Sequence, residues 1–233
     1  MMPGLFMFHP ADLLMIPALI LAIWAQAKVR SAYAKYSEIG TRRGITGAQI
    51  AYRILEDAGI HNVEIGRVAG EMTDHYDPTR KCLNLSDGVY NSSSIAALGI
   101  AAHEVGHAIQ DAHQYAPMKL RHLIYPLSSI GSTLAFPLIL GGFFFSHSGL
   151  GWLINVGIWL FSAAVAFTII TLPVEFDASR RAVRALADGG YLSDEEIKGV
   201  RAVLGAAAMT YVAAAAGAVL QLIRLLLIFN RRD

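Results

Sequence analysis

Two histidines and an adjacent glutamate are the residues of this chain best suited to chemistry. They stand in the run His103-Glu104-Val105-Gly106-His107, which has the spacing HExxH. Residues four apart lie on one face of a helix, so both imidazoles can reach one zinc ion. Glu104 then lies beside the metal but points differently, which suits a base acting on a metal-activated water. The motif therefore predicts His103 and His107 as zinc ligands and Glu104 as the catalytic residue.

A catalytic zinc needs a third protein ligand and an open position for water, and two residues compete for the ligand role. His113 follows in a run close to HExxHxxGxxH, but Gln110 replaces the glycine at which that helix would bend. If the helix continues, His113 is rotated about 240° from His107. Glu175 lies at the edge of an apolar stretch, in LPVEFDASRRAVRAL, where a carboxylate is a functional candidate. We predict Glu175 as the third ligand and His113 as the alternative, while a carboxylate stabilised by a helix dipole is the structural explanation of Glu175.

Four apolar segments must position these residues. Hydrophobic residues make up 55% of the 233 residues and charged residues 16%, against about 25% charged in soluble domains. The chain has a single cysteine, Cys82, so it cannot have an intramolecular disulfide framework. Its net charge is only +1, which does not indicate binding to nucleic acid. A membrane-spanning helix needs about 20 mostly apolar residues. The sequence predicts such spans at about 11–27, 123–145, 152–173 and 203–229.

The distribution of basic residues predicts the topology. If the N-terminus lies outside, segments 28–122 and 174–202 face the cytoplasm, and they hold 16 of the 19 lysines and arginines. Arg231 and Arg232 weigh weakly against this orientation. Two spans separate the histidine motif from Glu175, so both lie on the cytoplasmic side. The basic residues of the first span follow its apolar run, which predicts a retained anchor rather than a cleaved signal peptide.

The cytoplasmic segments show the patterns of a small α+β portion. They predict helices over 45–58 and 95–112, and strands over 62–68 and 81–86. The run at 74–78 has turn chemistry. The second strand either pairs with an extended peptide substrate or is an ordinary buried strand. We expect one membrane-embedded domain over residues 1–233, mainly α, with a zincin-like cytoplasmic portion around the motif helix.

Several longer runs carry a family resemblance. They are RGITGAQIAYRILEDAGI, EMTDHYDPTRKCLNLSDGVYNSSSIAALGIAAHEVGHAIQ, LPVEFDASRRA and AAAMTYVAAA, in that order. Over nearly its whole length the chain resembles the bacterial membrane zinc metallopeptidases of the YugP type. The resemblance implies a multi-pass, zinc-dependent peptidase with His103 and His107 as ligands and Glu104 catalytic.

The Glu175 segment looks like the glutamate-ligand helix of membrane metallopeptidases related to the CAAX prenyl protease and HtpX group. Those proteins carry an ExxxD pattern. Here the fourth residue after the glutamate is Ser179, and the acid is Asp177. The sequence therefore leaves open which group orients a zinc histidine.

The resulting hypothesis is peptide-bond hydrolysis at one Zn²⁺ per chain, in the bacterial cytoplasmic membrane, with the active site facing the cytoplasm. Glu104 would transfer the protons, and the substrate would be a peptide or a membrane protein within the lipid bilayer. Candidate oxyanion or substrate contacts are His75, Tyr211 and Arg180, each of which also has an ordinary structural explanation. The alternatives are a non-enzymatic scaffold or chaperone whose structural zinc is closed by a fourth protein ligand, and a small-molecule metallohydrolase.

Overall fold

The computed structural model describes residues 9–229, and the basic pair Arg231 and Arg232 lies outside them. The described chain is mainly helical with one small sheet. Its helices are α1 (Met15–Ser37), α2 (Gly47–Asp57), α3 (Asp87–Tyr90), α4 (Ile95–Ala112), α5 (Ala116–Phe144), α6 (Trp152–Asp188) and α7 (Asp194–Phe229). Its strands are β1 (Glu64–Val68), β2 (His75–Asp77) and β3 (Cys82–Ser86), and short 3₁₀ turns cover Pro10–Leu14 and Ser146–Ser148.

Four helices are long and apolar enough to cross a membrane, which confirms the predicted number of spans. They are Pro10–Ser37, Ala116–Phe144, Trp152–Asp188 and Asp194–Phe229. The last two extend well beyond the predicted apolar spans. Past residue 173 no glycine or proline interrupts the polar segment until Gly189, so α6 continues as one helix. Apolar side chains such as Leu123 and Trp159 are exposed by 77% and 78%, as expected for a surface that faces lipid.

The chain divides into two compact units. The first contains the described residues up to Trp24, Leu120–Leu172 and those from Tyr211 onward; the second contains Ala25–Lys119 and Pro173–Thr210. In the first unit α5 and α6 approach closely, since a Cβ at Gly131 would lie 2.4 Å from the carbonyl oxygen of Leu160. Small residues at such crossings are typical of helix packing in membranes.

The second unit is built around α4. The helix begins after Ser94, whose hydroxyl accepts a hydrogen bond from the backbone N–H of Ala97 at 3.2 Å. Its apolar face, including the fully buried Leu98 and Val105, belongs to a core shared with α2 and the sheet. The predicted helix over 45–58 is confirmed as α2, with Thr46 as its N-cap in a reciprocal capping box.

The sheet has the order β1–β3–β2, with β1 parallel and β2 antiparallel to β3. The turn predicted over 74–78 is wrong for His75–Asp77, which forms strand β2 along Cys82–Asn84, whereas the turn itself begins at Pro78. Three residues are too few to show a strand periodicity, and backbone pairing to β3 decides their conformation. Because β3 is the central strand and its residues Cys82–Asn84 are paired on both sides, the backbone of this part of the strand is not available to a peptide by strand addition.

Candidate metal centre

The two histidines of the motif lie one turn apart on α4. The helix runs without interruption through Ala112, so both imidazoles project from the same face. Their side chains are only 13% and 11% exposed, for His103 and His107 respectively. The ring centroids are 4.8 Å apart in an edge-to-face arrangement. The local geometry expected from the sequence therefore holds for this pair.

Helix α6 brings Glu175 to the histidines through a close contact with α4. Gly106 lies between the two histidines, and a Cβ at this position would meet the backbone carbonyl oxygen of Ala178 at 2.5 Å. Ala178 is itself fully buried. A glycine is therefore required where the backbones of the two helices meet, three residues after Glu175 on α6.

The three side chains converge on one point. Oε2 of Glu175 lies 3.3 Å from Nε2 of His103 and 3.6 Å from Nε2 of His107. Two ligands of a tetrahedral zinc, each about 2.0–2.1 Å from the ion, are separated by about 3.3 Å. Among the described residues, these three form the one group of His, Cys, Asp or Glu side chains able to hold a metal ion. The donor set and its spacing fit Zn²⁺.

The cluster is also arranged to stabilise positive charge. Burial by itself lowers the pKa of His107, but the nearby carboxylates of Glu175 and Glu104 outweigh burial and raise the pKa. Oε2 of Glu175 is buried and, within residues 9–229, accepts no hydrogen bond. A divalent cation among the three side chains would supply the positive charge that the carboxylates favour and would give the buried oxygen of Glu175 a partner.

The other nitrogen of each histidine contacts a polar side chain. Nδ1 of His103 lies 3.1 Å from the hydroxyl of Ser179, and Nδ1 of His107 lies 3.0 Å from Oε1 of Gln110. Gln110 in turn contacts Asp177 on α6. The sequence left open which groups orient the two histidines. In the structure Ser179 contacts His103 directly, and Asp177 reaches His107 through Gln110.

The structure places His113 away from this cluster. It is the C-cap of α4, and its Nδ1 lies 3.4 Å from Nη1 of Arg181. The helix continues without interruption through Gln110 to Ala112, whereas the longer motif needs a bend at this position to return a third histidine to the cluster.

The three candidates for substrate contact lie on β2, α6 and α7. His75 is exposed on β2, with Nδ1 2.8 Å from the carbonyl oxygen of Thr73 and Nε2 3.2 Å from Nδ2 of Asn84. Arg180 is exposed on α6, and Tyr211 on α7 is 38% exposed. Their roles stay predictions.

Gln110 and Ser179 contact the motif histidines, and the sequence pattern assigns a role to neither. Gln110 lies three residues after His107, which places it on the same face of α4. That spacing was the signal available in the sequence.

Fold and site together define a class: a protein with four helices able to cross a membrane and a buried cluster of two histidines and one glutamate suited to a divalent metal ion. Comparison with known proteins narrows this class. The family model described as "Putative neutral zinc metallopeptidase" matches residues 11–230. The "Putative membrane protease YugP" of Bacillus subtilis (strain 168) is 48% identical over 221 residues, which cover 94% of this chain and 97% of that protein. No solved structure matches. The chain belongs to the neutral zinc metallopeptidase family.

Proposed function

We propose that this protein is a zinc-dependent membrane endopeptidase that binds one Zn²⁺ through His103, His107 and Glu175. The observation that carries the proposal is the convergence of both Nε2 atoms on one buried carboxylate oxygen. Family membership and the name of the Bacillus relative support a protease that uses zinc in a membrane. We assign the motif helix α4 to a zincin-like arrangement on the basis of its HExxH spacing.

Glu104 is the residue that we assign to proton transfer. Bound zinc would lower the pKa of a water molecule and polarise the scissile carbonyl. Glu104 is next to a ligand histidine on α4, and it is only 9% exposed. Its oxygens can therefore accept a proton from the attacking water and donate it to the leaving amine. Burial keeps competing solvent from the carboxylate.

A peptidase is better supported than a scaffold with a structural zinc. A structural site needs a fourth protein ligand, and His113 and Asp177 are the two residues that could in principle supply it. Nδ1 of His113 contacts Arg181. The carboxylate of Asp177 accepts hydrogen bonds from Arg181 at 2.6 Å and from Gln110 at 2.9 Å. Neither belongs to the metal-binding group found among the described residues, which leaves a position for water.

We further propose that the site faces the cytoplasm of a bacterial cytoplasmic membrane and acts on peptides or membrane proteins. The four apolar helices and the membrane protease relative support the membrane location. The concentration of lysine and arginine in segments 28–122 and 174–202 supports the cytoplasmic side. Both segments contribute to the compact unit that contains the metal cluster.

The substitution Glu104→Gln tests the mechanism. The amide keeps the size of the side chain but cannot accept the proton, so stoichiometric zinc and the fold should persist while activity falls about 10²–10⁴-fold. The assay is cleavage of casein by the detergent-solubilised protein, with a chelator control and restoration by zinc. Chelator-sensitive activity that is undiminished in Glu104→Gln would exclude this role. If wild type cleaves no casein, a strain carrying Glu104→Gln is compared with a deletion strain, and equal phenotypes support the mechanism.

A further inference from the structure

Gln110 is a fully buried polar side chain at 0% exposure, and all its hydrogen-bonding groups point at the metal centre or its supporting helix. Its Nε2 donates to the backbone carbonyl oxygen of Val174 at 2.7 Å and to Oδ2 of Asp177 at 2.9 Å. Its Oε1 lies 3.0 Å from Nδ1 of His107. A buried amide of this kind is stable only when its donors and acceptor are satisfied, and here all three contacts are made.

The partners of Gln110 determine the orientation of its amide. A backbone carbonyl and a carboxylate only accept hydrogen bonds, so the amide nitrogen must face Val174 and Asp177. The carboxylate of Asp177 is held in turn by Nε of Arg181, four residues later on α6, at 2.6 Å. The amide oxygen must therefore face His107, and since this oxygen cannot donate, Nδ1 of His107 must carry the hydrogen.

The tautomer of His107 decides which nitrogen is available to a metal ion. With its hydrogen on Nδ1, the neutral imidazole has its lone pair on Nε2, which is the nitrogen 3.6 Å from Glu175. Gln110 also ties α4 to the turn of α6 that carries Glu175, because Val174 and Asp177 flank that glutamate. One side chain thus controls the direction of one ligand and the position of another.

We propose that Gln110 is a positioning residue for the metal centre, which holds His107 with Nε2 toward the ion and couples it to Asp177 and Arg181. This inference rests on the proposed zinc site. The arrangement differs from that at His103, whose Nδ1 contacts Ser179 directly at 3.1 Å. The two ligand histidines of this chain are therefore oriented by different chemistry, one by a hydroxyl and one by an amide backed by an ion pair.

The test uses Gln110→Met, which keeps the length of the side chain and removes its hydrogen bonds. Loss of a partner that orients a metal-binding histidine lowers metal affinity about 10–100-fold. We expect that loss in the zinc dissociation constant of the full-length protein in detergent, measured by competition with a chromophoric chelator. The control is Leu98→Ala, at a fully buried position of the α4 core. A merely structural role predicts that both variants lower the unfolding temperature and keep the wild-type zinc affinity.

A second measurement does not depend on the stability of the variant. Nitrogen-15 NMR of histidine-labelled, metal-free wild type, recorded at a pH above the pKa of His107, should show the neutral ring with its hydrogen on Nδ1, identified by the signal that disappears in His107→Gln. A neutral ring with its hydrogen on Nε2 would overturn the proposal, as would unchanged zinc affinity in Gln110→Met. If wild type binds no zinc, the proposed metal site fails instead, so the two failures are distinguishable.

Discussion

Adding one methyl group at Gly106 should separate the two helices that carry the metal ligands. The Cβ of an alanine would lie 2.5 Å from the carbonyl oxygen of Ala178 and 3.1 Å from its carbonyl carbon and Cα. All three atoms belong to the backbone of α6, so no side-chain rotation relieves the clash. Ordinary contact begins near 3.4 Å, and α4 and α6 must therefore move apart by about 0.9 Å, an overpacking that costs about 1–3 kcal/mol.

The matched control is Gly99→Ala, on the same helix. There the new Cβ would lie 3.3 Å from Cγ1 of Val200, a side-chain atom that can shift. Both substitutions gain about 0.8–1 kcal/mol of helix propensity, so this gain cancels when the two variants are compared. The remaining difference in the free energy of unfolding, about 1–3 kcal/mol, reports the contact with Ala178.

The same movement should weaken zinc binding. Ligand distances of a zinc site tolerate about 0.2 Å, so the metal must pull the separated helices together again. If 1.4–2.8 kcal/mol of strain is restored on binding, affinity falls about tenfold to a hundredfold. Zinc dissociation constants and unfolding temperatures of Gly106→Ala, Gly99→Ala and wild type should be measured in one detergent. Equal zinc affinity in the two variants would refute the argument that this contact positions Glu175.

Three further predictions address ligation, topology and pH dependence. Glu175→Ala should lose stoichiometric zinc and His113→Ala should keep it, as judged by metal analysis, whereas the reverse result would make the longer histidine motif correct. On a Cys82→Ser background, single cysteines at the exposed positions Glu38 and Asp188 should react with an impermeant reagent only from the cytoplasmic side, and labelling from opposite faces would contradict a shared site. Tyr76 donates a hydrogen bond to Asp111 at 2.7 Å, and burial followed by that carboxylate raises its pKa above the ordinary value of about 10. The hydrogen bond of Tyr76 contributes fully to stability below about pH 10, and this contribution is lost as the pH rises through the raised pKa. The unfolding temperature of Tyr76→Phe should therefore fall less steeply with pH above about pH 10 than that of wild type. Equal slopes of unfolding temperature against pH in the two proteins would contradict this prediction.

The helices of this protein can be predicted from the sequence because the residues that start them and the apolar runs that define them lie within the helices themselves or next to them. The helix over 45–58 has a capping box at Thr46, and the motif helix begins after Ser94, both within one turn of the residues that they cap. The four apolar segments need only length and composition to be recognised. The same-face placement of His103 and His107 follows from the helical repeat alone.

The assembly of the site, by contrast, depended on contacts between distant segments. Gln110 and Val174 are 64 residues apart, and no periodicity links them. Only the packing of α4 on α6 at Gly106 shows that Glu175 reaches the histidines. The same packing brings Ser179 and Gln110 into contact with the two imidazoles and leaves His113 beside Arg181. Strand β2 likewise exists because β3 supplies its hydrogen bonds. A sequence determines what each helix presents on its own faces, but which faces meet is decided by backbone approach and burial across the whole fold, and that information is not local.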